Sequence, residues 1–282
     1  VRQVRPGAIE TEAQRAFVFG VRPVEDPLPA TTEAAIRDRA QGALLGLAVG
    51  DAVGTTLEFK SRDNYPRLTD MIGGGPFQLE VGQWTDDTSM ALALADSLIA
   101  HDPFNPEDLM RRFVAWREKG DYSCTGSCFD IGMTVSSALS RWKQTGEPMA
   151  GTTDPQSAGN GSLMRLSPVA IRHWRDRDAM RNVAALQSRT THGAPEAVSA
   201  CIAYADLLAD AIEGQPRHQL LSPRTGDYAG SIKSIMAGSW RGKAREQIAS
   251  SGYVAHSLEA ALWSVGRTSD FRSAILTAAN LG

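Results

Sequence analysis

Two adjacent aspartates, Asp86 and Asp87, head a stretch that carries no further charge until Asp96: GQWTDDTSMALALADSL, from Gly82 to Leu98. Met90, Leu94 and Leu98 recur on one helical face, with Ala91 and Ala95 beside them. A helix this poor in charge belongs inside a protein, and acids at its buried end need partners. The chain must therefore fold so that other elements enclose this helix and also answer its two carboxylates. Three readings of the pair stand side by side. Thr85 or Asp86 caps the helix and the next acid meets the positive end of the macrodipole. Alternatively Thr85, Asp86, Asp87 and Thr88 offer consecutive hard oxygen donors of the kind Mg²⁺ or Mn²⁺ selects. Or the carboxylates are catalytic acids.

The rest of the chain supplies helices for the enclosure. TTEAAIRDRAQGALLGLAVGDAVG, from Thr32, opens with Thr and Glu at capping spacing. Its glycines, Gly42, Gly46, Gly50 and Gly54, recur every four residues and bare the backbone along nearly one face, where another helix can approach. No Gly-Lys-Ser/Thr follows, so this is not a phosphate-binding P-loop. Asn105-Pro106-Glu107 reads as a cap with Pro at the first helical position. Helices are further predicted over Asp130–Trp142, Leu163–Trp174, Ala179–Arg189, Pro195–Glu213, Tyr228–Ala237, His256–Val265 and Phe271–Asn280, separated by Gly/Ser/Thr/Asp loops. No window alternates between hairpin turns as a strand would. The expectation is an all-α domain over 32–282, a compact orthogonal packing of about ten helices, with Trp84, Trp116, Trp142, Trp174 and Trp263 in its core. Residues 1–31, with four prolines and no sustained period, read as an extended arm with room for a short helix around Glu10–Phe19.

Composition narrows the classes of function. A net charge of −3 argues against nucleic acid as the main partner, because phosphate binding needs a basic face. The longest near-apolar run, Gly42–Gly50, falls short of a membrane span, and VRQVRPGAIETE has no apolar signal region. Three cysteines, Cys124, Cys128 and Cys201, cannot form a disulfide framework, which points to a reducing, cytoplasmic setting. Cys124 and Cys128 lack the second ligand pair that zinc would need.

Other stretches carry candidate chemistry beside a plain alternative. GDAVGTTLEF sets Asp51 and Glu58 on either side of a helix end, as functional acids or as surface ones. In SCTGSCFDIG, Gly126 and Gly132 bracket Asp130 behind Ser and Thr donors; such a turn can hold phosphate on backbone N–H groups or be an ordinary junction. AGNGSLMRLSP offers a nest at Gly159, Asn160 and Gly161, or a turn capped by Ser162. His192, ahead of Gly193 and Pro195, is a structural cap or a catalyst.

Together GALLGLAVGDAVGTTLEF, WTDDTSMALALADSL, YSCTGSCFDIG, GNGSLMR, TTHG and AANLG, in order from about Arg37 to Gly282, resemble the ADP-ribosylglycohydrolase family, the dinitrogenase-reductase-activating and ADP-ribosylhydrolase-like proteins. The resemblance implies an all-α fold, two Mg²⁺ or Mn²⁺ ions, and hydrolysis of the bond between ADP-ribose and a protein side chain, arginine foremost. It makes Thr85, Asp86 and Asp87 metal ligands. It makes Glu58 a catalytic acid near the substrate ribose and Asp130 the catalytic acid at the scissile linkage. Cys124, Thr125, Gly126, Ser127, Cys128 and Phe129, with Asn160, Gly161, Ser162 and Met164, match diphosphate- and ribose-binding loops, and His192 a position near the adenosine half. The sequence ends at Gly282, ahead of the Asp-x-Asp-Thr segment that supplies the family's remaining ligands; the expectation is a domain lacking its C-terminal part. The implied partner is an ADP-ribosylated protein, and the implied state a monomer. The alternative is a non-catalytic ADP-ribose binder or immunity protein whose N-terminal arm blocks an ADP-ribosylating toxin.

Overall fold

Eleven α-helices and no named strand build the described residues, 30–282, of the computed structural model. The arm and its optional helix lie outside the described residues, apart from exposed Ala30 and Thr31. Helix α1 (Glu33–Gly54) begins where the Thr32 hydroxyl accepts from the Ala35 N–H, and a 3₁₀ turn, Thr55–Leu57, continues it. Helix α2 (Asp86–Ala100) is the apolar one. Helix α3 (Pro106–Lys119) is capped by the Asn105 side chain, which accepts from Glu107 and Asp108, and stops at Gly120 with φ 77°. A Cβ at Gly120 would stand 2.0 Å from the Gly126 carbonyl oxygen, so only glycine lets this helix end lie on the loop that follows. Then come α4 (Met133–Thr145), α5 (Ser167–His173), α6 (Arg177–Thr191), α7 (Pro195–Glu213), α8 (Arg217–Leu220), α9 (Gly230–Met236), α10 (Val254–Arg267) and α11 (Phe271–Ala279).

Small side chains organise the centre. Along α7, Ala197, Ala200, Cys201, Ala203, Ala205 and Ala209 are buried, and α1, α5, α6, α9 and α10 all pack against this helix. Helix α2 buries Met90, Leu94 and Leu98 against α1, α3 and α5. Of the glycine stripe on α1, Gly46 receives the Phe271 ring and Gly50 the Ile275 side chain of α11, whereas Gly42 and Gly54 meet nothing within 4 Å. The stripe is a groove for two side chains over half its length, not a backbone-to-backbone seam. Trp116 and Trp263 are buried as expected; Trp84, Trp142 and Trp174 are only half-buried.

Three helices start later than their periodicity suggests, the one expected from Tyr228 by two residues, at Gly230. The one expected from Asp130 begins at Met133, because Asp130 adopts a left-handed φ of 57°. The one expected from Leu163 begins at Ser167, because the Asn160 carbonyl accepts from both Leu163 and Met164 and closes a turn there. No described helix is long and apolar enough to cross a membrane.

Candidate active site

The buried N-terminus of α2 is satisfied from another helix. Thr85 occupies the N-cap position, but its own side chain caps nothing. Instead the Asp51 carboxylate, in the last turn of α1, accepts from the Thr85 N–H (3.0 Å) and hydroxyl (2.8 Å) and from the Thr88 N–H (3.0 Å) and hydroxyl (2.6 Å). A charged acceptor taking orphan N–H groups at the positive end of a helix is a strong cap. The task that Thr85 or Asp86 was a candidate for thus falls to Asp51, and Asp86 and Asp87 remain without a capping role. Ser89 closes the turn by donating to the Thr85 carbonyl at 2.7 Å.

Freed in this way, Asp86 and Asp87 face a cleft of about 990 Å³ whose lining includes Asp51, Glu58, Asp86, Asp87 and Asp130. Glu58 arrives on the turn after the 3₁₀ segment, and Asp130 on the turn ahead of α4. Burial and their own mutual repulsion set the electrostatics. Burial, with Asp130 next and then Asp87 and Asp51, pushes the Glu58 carboxyl up to about 8. Burial, Asp51 and Asp130 push Asp87 up to about 8. Asp86 is raised well above the usual carboxylate range by burial, Asp87 and Asp130. Asp130 is pushed up to about 6, mainly by burial, while its hydrogen bond with Glu58 pulls the other way. Glu58 and Asp130 therefore titrate as an interacting pair, with Glu58 the more strongly raised of the two. Lys60 is the one basic side chain among the described residues lining the cleft.

Among the described residues no group of three His, Cys, Asp or Glu side chains is placed to hold a metal ion. The donor chemistry nevertheless fits a hard divalent cation: hydroxyl and carboxylate oxygens, and a surplus of negative charge whose main neighbours are one another.

Another wall of the cleft brings together two loops. The Asn160 N–H donates to the Gly252 carbonyl (2.9 Å), and its side-chain amide to Ser257 (2.9 Å). Asn160 and Met164 line the cleft with Ser250, Ser251 and Gly252. Gly161 and Ser162 sit behind that wall, Ser162 fully buried with its hydroxyl 2.8 Å from that of Ser188. His192 is also behind it. Its ring lies so close that a Cβ on Gly161 would come within 2.7 Å, its Nδ1 pairs with the Thr191 hydroxyl, and burial pushes its pKa down to about 3. This neutral imidazole is the floor on which Gly159–Gly161 rests.

The loop Cys124–Phe129 stands beside the cleft, not in its lining. The Cys124 thiol donates to the Trp84 carbonyl, Thr125 bonds to Ser127, Gly126 and Ser127 are exposed, and Phe129 packs 5.2 Å from Phe77. The Cys128 thiol is pushed up to about 11 by burial and Asp86. The reading of the sequence left out Phe59, Phe77 and the cap made by Asp51. Asp51, a lone acid in the apolar run GLAVGDAVG, was the one with a visible signal.

Known proteins bear out the motifs. The family model for ADP-ribosylglycohydrolase matches residues 32–282. The ADP-ribosylarginine hydrolase Tri1 of Pseudomonas putida (strain GB-1) is 47% identical over 244 residues, 86% of this chain and 66% of that protein. The protein of the same name from Serratia proteamaculans (strain 568) is 44% identical over 247 residues, 87% of this chain and 67% of its own length. The chain thus spans about two thirds of these curated relatives. A solved structure described as an ADP-ribosylglycohydrolase-related protein complex superposes with a TM-score of 0.76 at 39% identity, covering 88% of this chain and 82% of that one. With the acid-lined cleft and the all-α frame agreeing with a match over nearly the whole described chain, the protein belongs to the ADP-ribosylglycohydrolase family.

Proposed function

We propose that this protein is a metal-dependent hydrolase that removes ADP-ribose from modified protein side chains, arginine foremost. The observation that carries the reading is the convergence of Asp51, Glu58, Asp86, Asp87 and Asp130 on one cleft floor, at the buried head of α2. The two Tri1 relatives are named ADP-ribosylarginine hydrolases, which supports the arginine linkage.

Cleavage at the distal ribose must stabilise positive charge at the anomeric carbon and help the side-chain nitrogen depart. Thr85, Asp86 and Asp87 would hold a pair of Mg²⁺ or Mn²⁺ ions, which when bound supply orientation of the ribose hydroxyls and a water of lowered pKa. Asp130 presents a carboxylate to the guanidinium, the planar cation best matched to it. Glu58, its carboxyl pushed up to about 8 beside Asp130, would hold a proton where a general acid or base is needed near neutral pH. Asn160 and Met164, which line the cleft, would receive the diphosphate and ribose groups with Lys60 as countercharge, and the loop Cys124–Phe129 would reach them only from beside the cleft. His192 positions the Asn160–Met164 loop from beneath.

The test is release of free ADP-ribose from an ADP-ribosylarginine protein by purified full-length protein, with Mg²⁺, with Mn²⁺ and with chelator. Release that stops with chelator is expected; release indifferent to chelator would remove the metal from the proposal. Asp130→Asn should lower turnover by about 100-fold or more while ADP-ribose still binds. Equal turnover by that variant would end the role given to Asp130.

A further inference from the structure

Phe59 bears two costs at once. Its side chain is 78% exposed, and its backbone holds a left-handed φ of 60°, a conformation a phenylalanine adopts only when its surroundings impose it. It directly follows Glu58, just as Phe129 directly precedes Asp130, whose φ is 57°. Phe77 connects the two turns: it meets Phe59 edge-on at 6.3 Å and Phe129 at 5.2 Å. The Phe77 loop is itself docked on the 3₁₀ turn that leads to Glu58. Thr56 donates to the Gly73 carbonyl at 3.0 Å, and a Cβ on Gly75 would stand 2.4 Å from the Thr55 carbonyl oxygen. Phe59, Phe77, Glu58 and Asp130 all line the same cleft. On its lip Met133 is 88% exposed.

An aromatic face offered to solvent beside a pair of carboxylates is matched to one class of group, a planar cation that stacks on the ring and donates to the acids. We propose that Phe59, held by Phe77, forms the acceptor subsite: its ring takes the guanidinium of the arginine that carries ADP-ribose, and Met133 meets the aliphatic stem. This proposal rests on the hydrolase reading above. It adds that acceptor choice is made at Phe59, because a neutral acceptor such as a serine ether gains nothing from the ring.

The experiment measures kcat and KM on ADP-ribosylarginine for wild type, Phe59→Ala, Phe59→Leu and Phe59→Tyr, with ADP-ribose affinity and melting temperature measured alongside. Phe59→Ala and Phe59→Leu should each raise KM about tenfold at unchanged ADP-ribose affinity, and Phe59→Tyr should recover most of the loss. Rescue by Phe59→Leu would reduce the ring to an apolar contact and overturn the proposal. So would unchanged KM in Phe59→Ala, or a matching loss of ADP-ribose affinity. Inactive wild type would instead sink the hydrolase reading, and the subsite is then decided by a second measurement. N-acetylarginine amide titrated into ADP-ribose-loaded protein should shift the Phe59 ring resonances, whereas N-acetylserine amide should not. Failure of the arginine compound to shift them would end the proposal on its own.

Discussion

At Asp87 and Glu58, protons are held in the folded protein that the unfolded chain would release. Both carboxyls are pushed up to about 8, against an ordinary value near 4. Between those values the folded state binds more protons than the unfolded one, so stability is fully present below about pH 4 and is lost as pH rises through about 8. Protein stripped of divalent ions should therefore melt at a higher temperature near pH 5 than near pH 8. Mg²⁺ or Mn²⁺ should raise the melting temperature little at the acid end and strongly at the alkaline end, because ligation needs carboxylates free of protons. Melting curves at matched ionic strength check both slopes, and Asp87→Asn should flatten the first. A melting temperature indifferent to pH would mean that the acids have a compensating partner. That Asp86 and Asp87 needed partners was legible in TDDT and the uncharged run behind it. That Glu58 and Asp130 belong to the same site came only through the family resemblance; that they press on the pair electrostatically did not, since nothing local ties those acids together.

Helix α2 shows how an element's end can be correctly placed from sequence and yet capped by something the sequence does not reveal. The start at Asp86 follows from apolar spacing and the Thr-Asp pair. The cap is Asp51, whose carboxylate, on α1, accepts hydrogen bonds from the N–H and hydroxyl groups of Thr85 and Thr88. Asp51→Ala leaves the Thr85 and Thr88 donors buried without an acceptor and should cost about 1–3 kcal/mol, read as a lower urea midpoint. Asp51→Asn, which keeps an acceptor oxygen, should lose less. If both variants lost nothing, water would be serving the α2 terminus in place of Asp51. The late start of α4 has the opposite cause. The periodic pattern runs through Asp130, but a left-handed residue cannot enter an α-helix, and the chain spends the mismatch on turning that carboxylate toward Glu58.

Across the whole molecule, Arg165 joins three of the helices around the site. It is fully buried, donates to the Gln187 side chain (2.9 Å) and carbonyl (2.8 Å) and to the Thr191 hydroxyl (3.0 Å), and lies over the Phe113 ring at 4.5 Å. Helices α3 and α6 are thereby tied to one another, and the Met90 sulfur of α2 stands 4.0 Å away. Burial pushes its pKa down to about 9, so it remains cationic at neutral pH. Arg165→Ala should cost about 3 kcal/mol or more by leaving a cavity and several unpaired acceptors. Arg165→Lys should not rescue it, since an ammonium lacks the planar fork these partners require. Chemical denaturation checks both, and a lysine variant of wild-type stability would refute the account.

The sequence by itself determined the helical class, the position of most helices and the identity of the acids, because apolar spacing and capping residues act over a few neighbouring positions. It also carried the family, through motifs kept in order along the chain. Only the tertiary structure decided which residues meet: Asp51 as the cap of α2, Glu58 against Asp130, His192 under Gly161, and Phe77 between Phe59 and Phe129. Those pairings join positions far apart in the chain, and their free energy comes from burial and charge in a shared interior, a property no local window contains.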